Sequence, residues 1–342
     1  MDQMMTEEPD EMLAEEDPLM ALSQDVLVVL ILMGITALVG LIGNLIFVRA
    51  LCMYRNLRVD VFVIMGGLAV ADMLHLVIAV PSHMMDILRV VGIMSTPWCK
   101  CSRYLMNGTA YIASYHVVVM TVLRGILLTN RGHSSPTGRH ALYCSIVVWV
   151  VGALATVPVI QVWEHDIDAC LYTADADIDK EIWLTSSFSC FVPITMMLLI
   201  YATTYYIGKR YFADSYSRHE KQMSRLVSAV VLSFIICELP HHVTTLVYNS
   251  AYDHPDQDYI KNLSVINDYL LCLLLVDKAL RPVLYSKLST DLGDCFDEVI
   301  NCTYCHRYYS DGPRRQKSDK SAASTAPLTT EQQADVSCEE VV

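Results

Sequence analysis

Among the ionisable residues inside long apolar runs, five form a group to be explained: Asp72, Glu238, Asp277, Lys278 and Arg281. A lone charge at the middle of a bilayer costs roughly 2.5–3.5 kcal/mol on insertion scales. Three acids and two bases in such surroundings must therefore pair with one another, with an ion pathway or proton relay as the other role open to them. Covalent catalysis is not among the roles on offer. No nucleophile and base stand at a recognisable spacing, and no glycine loop is shaped to cradle phosphate. His241 and His242 are adjacent, so they do not present two ligands on one helical face. Cys302, Cys305 and His306 lack a fourth zinc partner. No enzyme activity, cofactor or metal is expected.

The elements that hold these charges are apolar runs. A helix needs about 20 mostly apolar residues to cross the hydrocarbon core. Seven runs meet that length: 26–53, 59–88, 98–128, 141–162, 183–212, 223–248 and 263–285. The third is interrupted by Asn107, Tyr115 and His116, and the seventh by Asp268, Asp277, Lys278 and Arg281. Polar groups inside spans imply helices buried within a bundle rather than bathed in lipid. The expected fold is all-α: a seven-transmembrane bundle over 26–286 followed by a short amphipathic eighth helix.

Charge in the connections sets the orientation. Arg55 and Arg58 follow the first span, Arg131 and Arg139 the third, and Lys209, Arg210, Arg218, Lys221 and Arg225 the fifth. The opposite side carries Glu164, Asp166, Asp168, Asp175, Asp177, Asp179 and Glu181 against Lys180, then Asp253, Asp256 and Asp258. Arg89, Lys100 and Arg103 are a local exception near the turn after span two. The positive-inside rule then places the N-terminus outside the cell and the C-terminus in the cytoplasm of a multi-pass plasma-membrane protein. Residues 1–25 are acidic and contain no Lys or Arg, which is not the pattern of a signal peptide. The formal charge of −13 would argue against nucleic acid as a partner in a soluble protein, and here the position of the charge matters more than its sum; no nucleic-acid partner is expected.

Beyond the spans, Leu288, Leu292, Phe296 and Val299 or Ile300 recur at helical spacing within 287–305, as an interfacial helix requires. Cys302 and Cys305 are then placed for palmitoylation, a further link to membrane lipid. Residues 306–342 read as a disordered cytoplasmic tail.

Landmarks recur along almost every span: Gly43-Asn44, Leu68-Ala69-Val70-Ala71-Asp72, Trp98-Cys99, Arg124, Trp149, Pro158, Pro193, Tyr201, Phe234, Pro240, and Arg281-Pro282-Val283-Leu284-Tyr285. In order and spacing the chain resembles the class A, rhodopsin-like G-protein-coupled receptors across about residues 26–300. The departures suggest a divergent member, as virally captured receptors are. Pro193, Pro240 and Pro282 each remove a backbone hydrogen bond and are candidate hinges. Cys99 and Cys170 face the oxidising side, and the resemblance implies a disulfide between them, with Cys101 as the rival for Cys170. Arg124, Tyr201 and Tyr285 match residues whose family counterparts rearrange to admit a heterotrimeric G protein.

Three departures matter. The family's Asp-Arg-Tyr is Leu123-Arg124-Gly125 here, so the acid beside the Arg is gone. Glu220 stands twenty residues before Pro240, where the family's partner on span six would be, and the expectation is an Arg124–Glu220 lock. A solvated Glu at a helix start is the alternative. The family's Trp two residues before Pro240 is Glu238, and its Asn before the span-seven Pro is Arg281. Family members often hold sodium beside the residue matching Asp72; Lys278 and Arg281 are expected to neutralise that acid instead. Lys278 snorkelling to an interface stays open.

Retinal-binding opsins carry Lys where this chain has Leu275, and amine receptors carry Asp where it has Met106. The acidic N-terminus and second outer loop would attract a cationic extracellular peptide or chemokine-like ligand. Asn262-Leu263-Ser264 is a candidate glycosylation site. Ser and Thr in the tail could recruit arrestin once phosphorylated. A non-signalling decoy and a proton-coupled transporter are the rival functions, although the transporter's repeated halves are missing.

Overall fold

The computed structural model describes residues 24–301, apart from 55–56, 58–59, 89–94, 130–137, 167–168, 212–217 and 252–253. The acidic head before residue 24, Cys302, Cys305 and the tail at 306–342 lie outside the described residues.

The described chain is a bundle of helices: α1 (Gln24–Met53), α2 (Asp60–Leu88), α3 (Thr96–Thr129), α4 (Gly138–Ala155), α5 (Val159–Val162), α6 (Ile178–Ser186), α7 (Val192–Tyr211), α8 (Arg218–Ser250), α9 (Gln257–Leu288) and α10 (Thr290–Ile300). α4 and the short α5 form the fourth span, broken by a turn at Thr156–Pro158 where proline ends the regular helix. α6 and α7 form the fifth, joined by a π-helical turn, Ser187–Phe191. A two-stranded antiparallel hairpin, β1 (Trp163–Asp166) and β2 (Ala169–Tyr172), follows α5. Neither the hairpin nor the π-turn was legible from hydropathy. One end of the bundle therefore bears the hairpin, and the other bears α10.

Among the described residues, six helical stretches are long and apolar enough to cross a membrane by length and composition. The seventh passage is α9, whose charges are tolerated because they face inward. Asp277 and Arg281 are fully buried, as are Leu275 and Tyr285. α9 starts at Gln257, before the expected span, because Asp256 caps it by accepting from the backbone N–H groups of Asp258 and Tyr259.

α1 shows how these helices pack. Ile31, Ile35, Leu38, Ile42 and Leu45 are exposed, whereas Met33, Thr36, Gly40, Asn44 and Phe47 are buried. Lipid is as apolar as a leucine side chain, so the small and polar residues select the inward face. A Cβ at Gly43 would stand 3.0 Å from Pro282 Cβ, so glycine is what allows α1 to approach α9 this closely.

The stretch after α9 is helical as expected, with Ser289 as the N-cap of α10. Its apolar stripe is partly spent on the bundle: Leu292 and Phe296 are buried, and Phe296 lies 6.3 Å from the Phe47 ring. Ile300 remains exposed.

Candidate ligand cavity and buried charge cluster

The hairpin hangs on α3 by a disulfide between Cys99 and Cys170, while Cys101 is a free, exposed thiol. Strand pairing brings Trp163 opposite Tyr172, and their rings lie 4.1 Å apart. Burial pushes the Tyr172 phenol up to about 12, so it stays neutral. Arg103 of α3 lies 4.5 Å from the Trp163 ring and donates to both oxygens of Asp86 on α2, at 2.8 and 2.7 Å. That fixed position explains why Arg103 breaks the charge pattern of the connections. It is a wall residue inside the bundle, not a loop cation.

This wall encloses a cavity of about 870 Å³ that opens toward the hairpin end. Asp86 and Arg103 line it from α2 and α3, Glu181 from α6, and Lys261 and Asp268 from α9. Asp86 is neutralised by Arg103, whereas Glu181 and Asp268 have no ion-pair partner among the described residues. The deepest lining residues on their helices are His75 of α2, Glu238 of α8 and Lys278 of α9, which together make the floor.

The five charges flagged in the sequence are brought together, but in two layers. In the upper layer Lys278 Nζ donates to Glu238 Oε1 at 2.9 Å, and His242 Nε2 lies 3.7 Å from Glu238 Oε2. Lys278 is 1% exposed and does not snorkel. One helical turn further from the hairpin, the Arg281 guanidinium bridges Asp72, at 2.5 Å, and Asp277. Ser233 of α8 donates to Asp277 at 2.8 Å. Asp72 Oδ2 and Arg281 Nε have no hydrogen-bond partner among the described residues.

Two prolines leave carbonyls that polar side chains of neighbouring helices take up. Pro282 has no N–H for the carbonyl of Lys278, four residues earlier, and Asn44 Nδ2 donates to it at 3.0 Å. Ser114 donates to the Ser189 carbonyl, four residues before Pro193, at 2.7 Å. The π-turn immediately before Pro193 turns Ser189 inward, within 3.2 Å of His242 Nε2. α8 and α9 continue as helix through Pro240 and Pro282.

At the α10 end, Arg124 docks against the first turns of α8. It donates to the backbone carbonyl of Glu220 and, through Nε and Nη2, to the Ser224 hydroxyl at 3.0 and 2.7 Å. Tyr201 donates to Ser228 of the same helix at 3.1 Å. Tyr285 is fully buried against Phe47, with ring centroids 4.8 Å apart. Asn262 is exposed on an early turn of α9.

Residues 43–285 match the profile of the 7 transmembrane receptor (rhodopsin family). The chain belongs to that family. This receptor is 26% identical to an allatostatin-A receptor of Bombyx mori over 83% of its own chain and 82% of the relative's. It is 22% identical to neuromedin-U receptor 2 of Mus musculus over 82% and 77%, and 22% identical to pinopsin of Columba livia over 80% and 81%. It is a divergent class A G-protein-coupled receptor, a multi-pass protein of the plasma membrane, and its family is one of non-enzymatic signalling receptors.

Sequence reasoning missed the wall of this receptor's cavity. His75 and Asp86 of α2, Arg103 of α3 and Glu181 of α6 sit on three separate elements, and no spacing within one segment links all four. A usable signal was present in Asp86 and Arg103, opposite charges near one end of two consecutive spans.

Proposed function

We propose that this receptor lies with its N-terminus outside the cell and its C-terminus in the cytoplasm. It takes the basic part of an extracellular peptide or chemokine-like protein into the cavity, and the helices rearrange to admit a heterotrimeric G protein at the α10 end. The observation that carries this reading is two acids without an ion-pair partner among the described residues, Glu181 and Asp268, against one such cation, Lys261, in a cavity under a disulfide-pinned hairpin. In such a partly desolvated site a ligand cation gains more than it would at an open surface. The relatives named for allatostatin A and neuromedin U favour a peptide. Retinal is disfavoured, despite the likeness to pinopsin, because buried Leu275 stands where opsins carry their lysine.

Within this reading, Arg124 and α8 form the resting contact that a G protein replaces, arrestin reads the phosphorylated tail, and Cys302 and Cys305 carry palmitate. Asn262 is the glycosylation site. Arg281, placed between Asp72 and Asp277, is the receptor's resident internal cation. Peptide binding is therefore expected to be the same in sodium and in N-methylglucamine buffers; a sodium-dependent change in affinity would remove that role from Arg281.

The direct test uses cells expressing the full chain. A panel of basic peptides is scored for nucleotide exchange on G proteins and for arrestin recruitment, with neutral peptides of matched length as controls. Exchange driven by a basic peptide, and lowered about tenfold in potency by Asp268→Asn, is the expected result. A response to neutral peptides alone overturns the charge reading. The buried Leu123 beside Arg124, in place of the family's acid, favours a second reading, a decoy that removes its ligand. Peptide uptake with no exchange on any G-protein class identifies that case.

A further inference from the structure

The cavity floor is closed by a charge that the receptor supplies to itself. Lys278 reaches Glu238 on an unbranched stem, and the side chains are 2% and 7% exposed. An ammonium has three N–H donors, yet Glu238 Oε1 is the one acceptor of Lys278 Nζ among the described residues. The other groups nearby are committed elsewhere or held further off. His75 Nδ1 is engaged with Thr109 Oγ1 at 3.0 Å, and His242 Nε2 lies 3.7 Å from Glu238 Oε2 but 3.2 Å from Ser189 Oγ. The layer below is closed by Arg281 across Asp72 and Asp277. Lys278 is thus an under-coordinated cation on a flexible stem, facing a cavity large enough for a side chain.

We propose that the Glu238 carboxylate is a subsite for an aliphatic primary ammonium, occupied at rest by Lys278. A lysine side chain or amino terminus of an incoming ligand exchanges with it. The inference rests on the reading above that the ligand is cationic, and it names the group the ligand must place deepest. On Glu238 one ammonium replaces another, so the carboxylate keeps a cation while the displaced Lys278 ammonium swings into the cavity that it lines. That spares the cost of stranding a buried acid. It also severs an ion pair between α8 and α9, so occupancy by ligand releases one helix from the other at the cavity floor.

The test empties the subsite of its resident and offers a free one. In Lys278→Ala the shortened side chain leaves Glu238 without its lysine, and n-butylammonium matches the four-carbon lysine stem, one carbon longer than the part the substitution removes. n-Butanol is the neutral control. With the full-length receptor purified in detergent, Lys278→Ala is expected to lose roughly 5–15 °C in Tm. Butylammonium restores several degrees saturably, butanol does not, and Glu238→Gln/Lys278→Ala responds to neither. Equal effects of amine and alcohol, or an amine effect that survives in the double variant, overturn the proposal. Should Lys278→Ala fail to fold, its surface level is measured in cells cultured with amine or with alcohol; a rise specific to the amine supports the subsite, and no difference overturns it. Neither readout involves a G protein or a peptide. Loss of nucleotide exchange therefore breaks the receptor reading, and loss of rescue breaks this one.

Discussion

The two halves of the bundle interior are built from different chemistry. Toward the hairpin it is charged: Asp86 with Arg103, Glu238 with Lys278, and Arg281 between Asp72 and Asp277. Toward α10 it is a continuous apolar core that includes Phe47, Met65, Leu226, Val230, Phe234 and Phe296, with Tyr285 buried against Phe47. In lipid, apolar packing gains little over contact with the solvent itself. The dry half is thus held by fit, and the charged half by electrostatic pairing that fails as a unit when one member goes. Fit suits a region that transmits movement, and pairing suits a region that senses a charged ligand.

The strongest way to break that contrast is Arg281→Met. It strands Asp72 and Asp277, at an expected cost of about 3–5 kcal/mol, seen as lost surface expression and a lowered Tm. Adding Asp72→Asn and Asp277→Asn restores most of it, because the stranded charges are gone. Equal instability of the single and triple variants would mean that packing, not pairing, governs this layer. In the dry half, Phe47→Ala removes contacts with Tyr285 and Phe296 and is expected to cost about 3 kcal/mol. No charge change elsewhere should rescue it.

Glu220→Ala sharpens the comparison at the α10 end. It is expected to raise basal nucleotide exchange only about twofold, since Arg124 bonds the backbone carbonyl of Glu220, which the substitution keeps. Ser224→Ala removes two acceptor contacts and should raise it more, to about fivefold. A larger effect from Glu220 than from Ser224 would make the carboxylate the main partner. The smallest effect is expected from Asn44→Ala, which frees the Lys278 carbonyl. It should lower stability by about 0.6 kcal/mol, a typical value for a hydrogen bond between membrane helices, as measured in thermal unfolding.

Much of the fold was legible because a membrane span is a local property. About 20 apolar residues identify one wherever it packs, and six of the seven announce themselves that way. α9 was legible through its landmarks rather than its hydropathy. The hairpin was not foreseen, since four-residue strands carry too little pattern to stand out. The π-turn was missed for a similar reason: Pro193 marked the place, but one extra residue in a helical turn leaves no mark on composition.

Sequence by itself determined that five charges had to share one membrane interior and that they could not remain alone there. It also determined which prolines would free carbonyls, because that loss is written into the residue type. Only the tertiary structure decided the partners. Arg281 took both Asp72 and Asp277 while Lys278 took Glu238, a division set by the rotation of α2, α8 and α9 about their axes. Successive residues on α9 point about 100° apart, so Asp277 and Lys278, adjacent in the chain, face different partners in different layers.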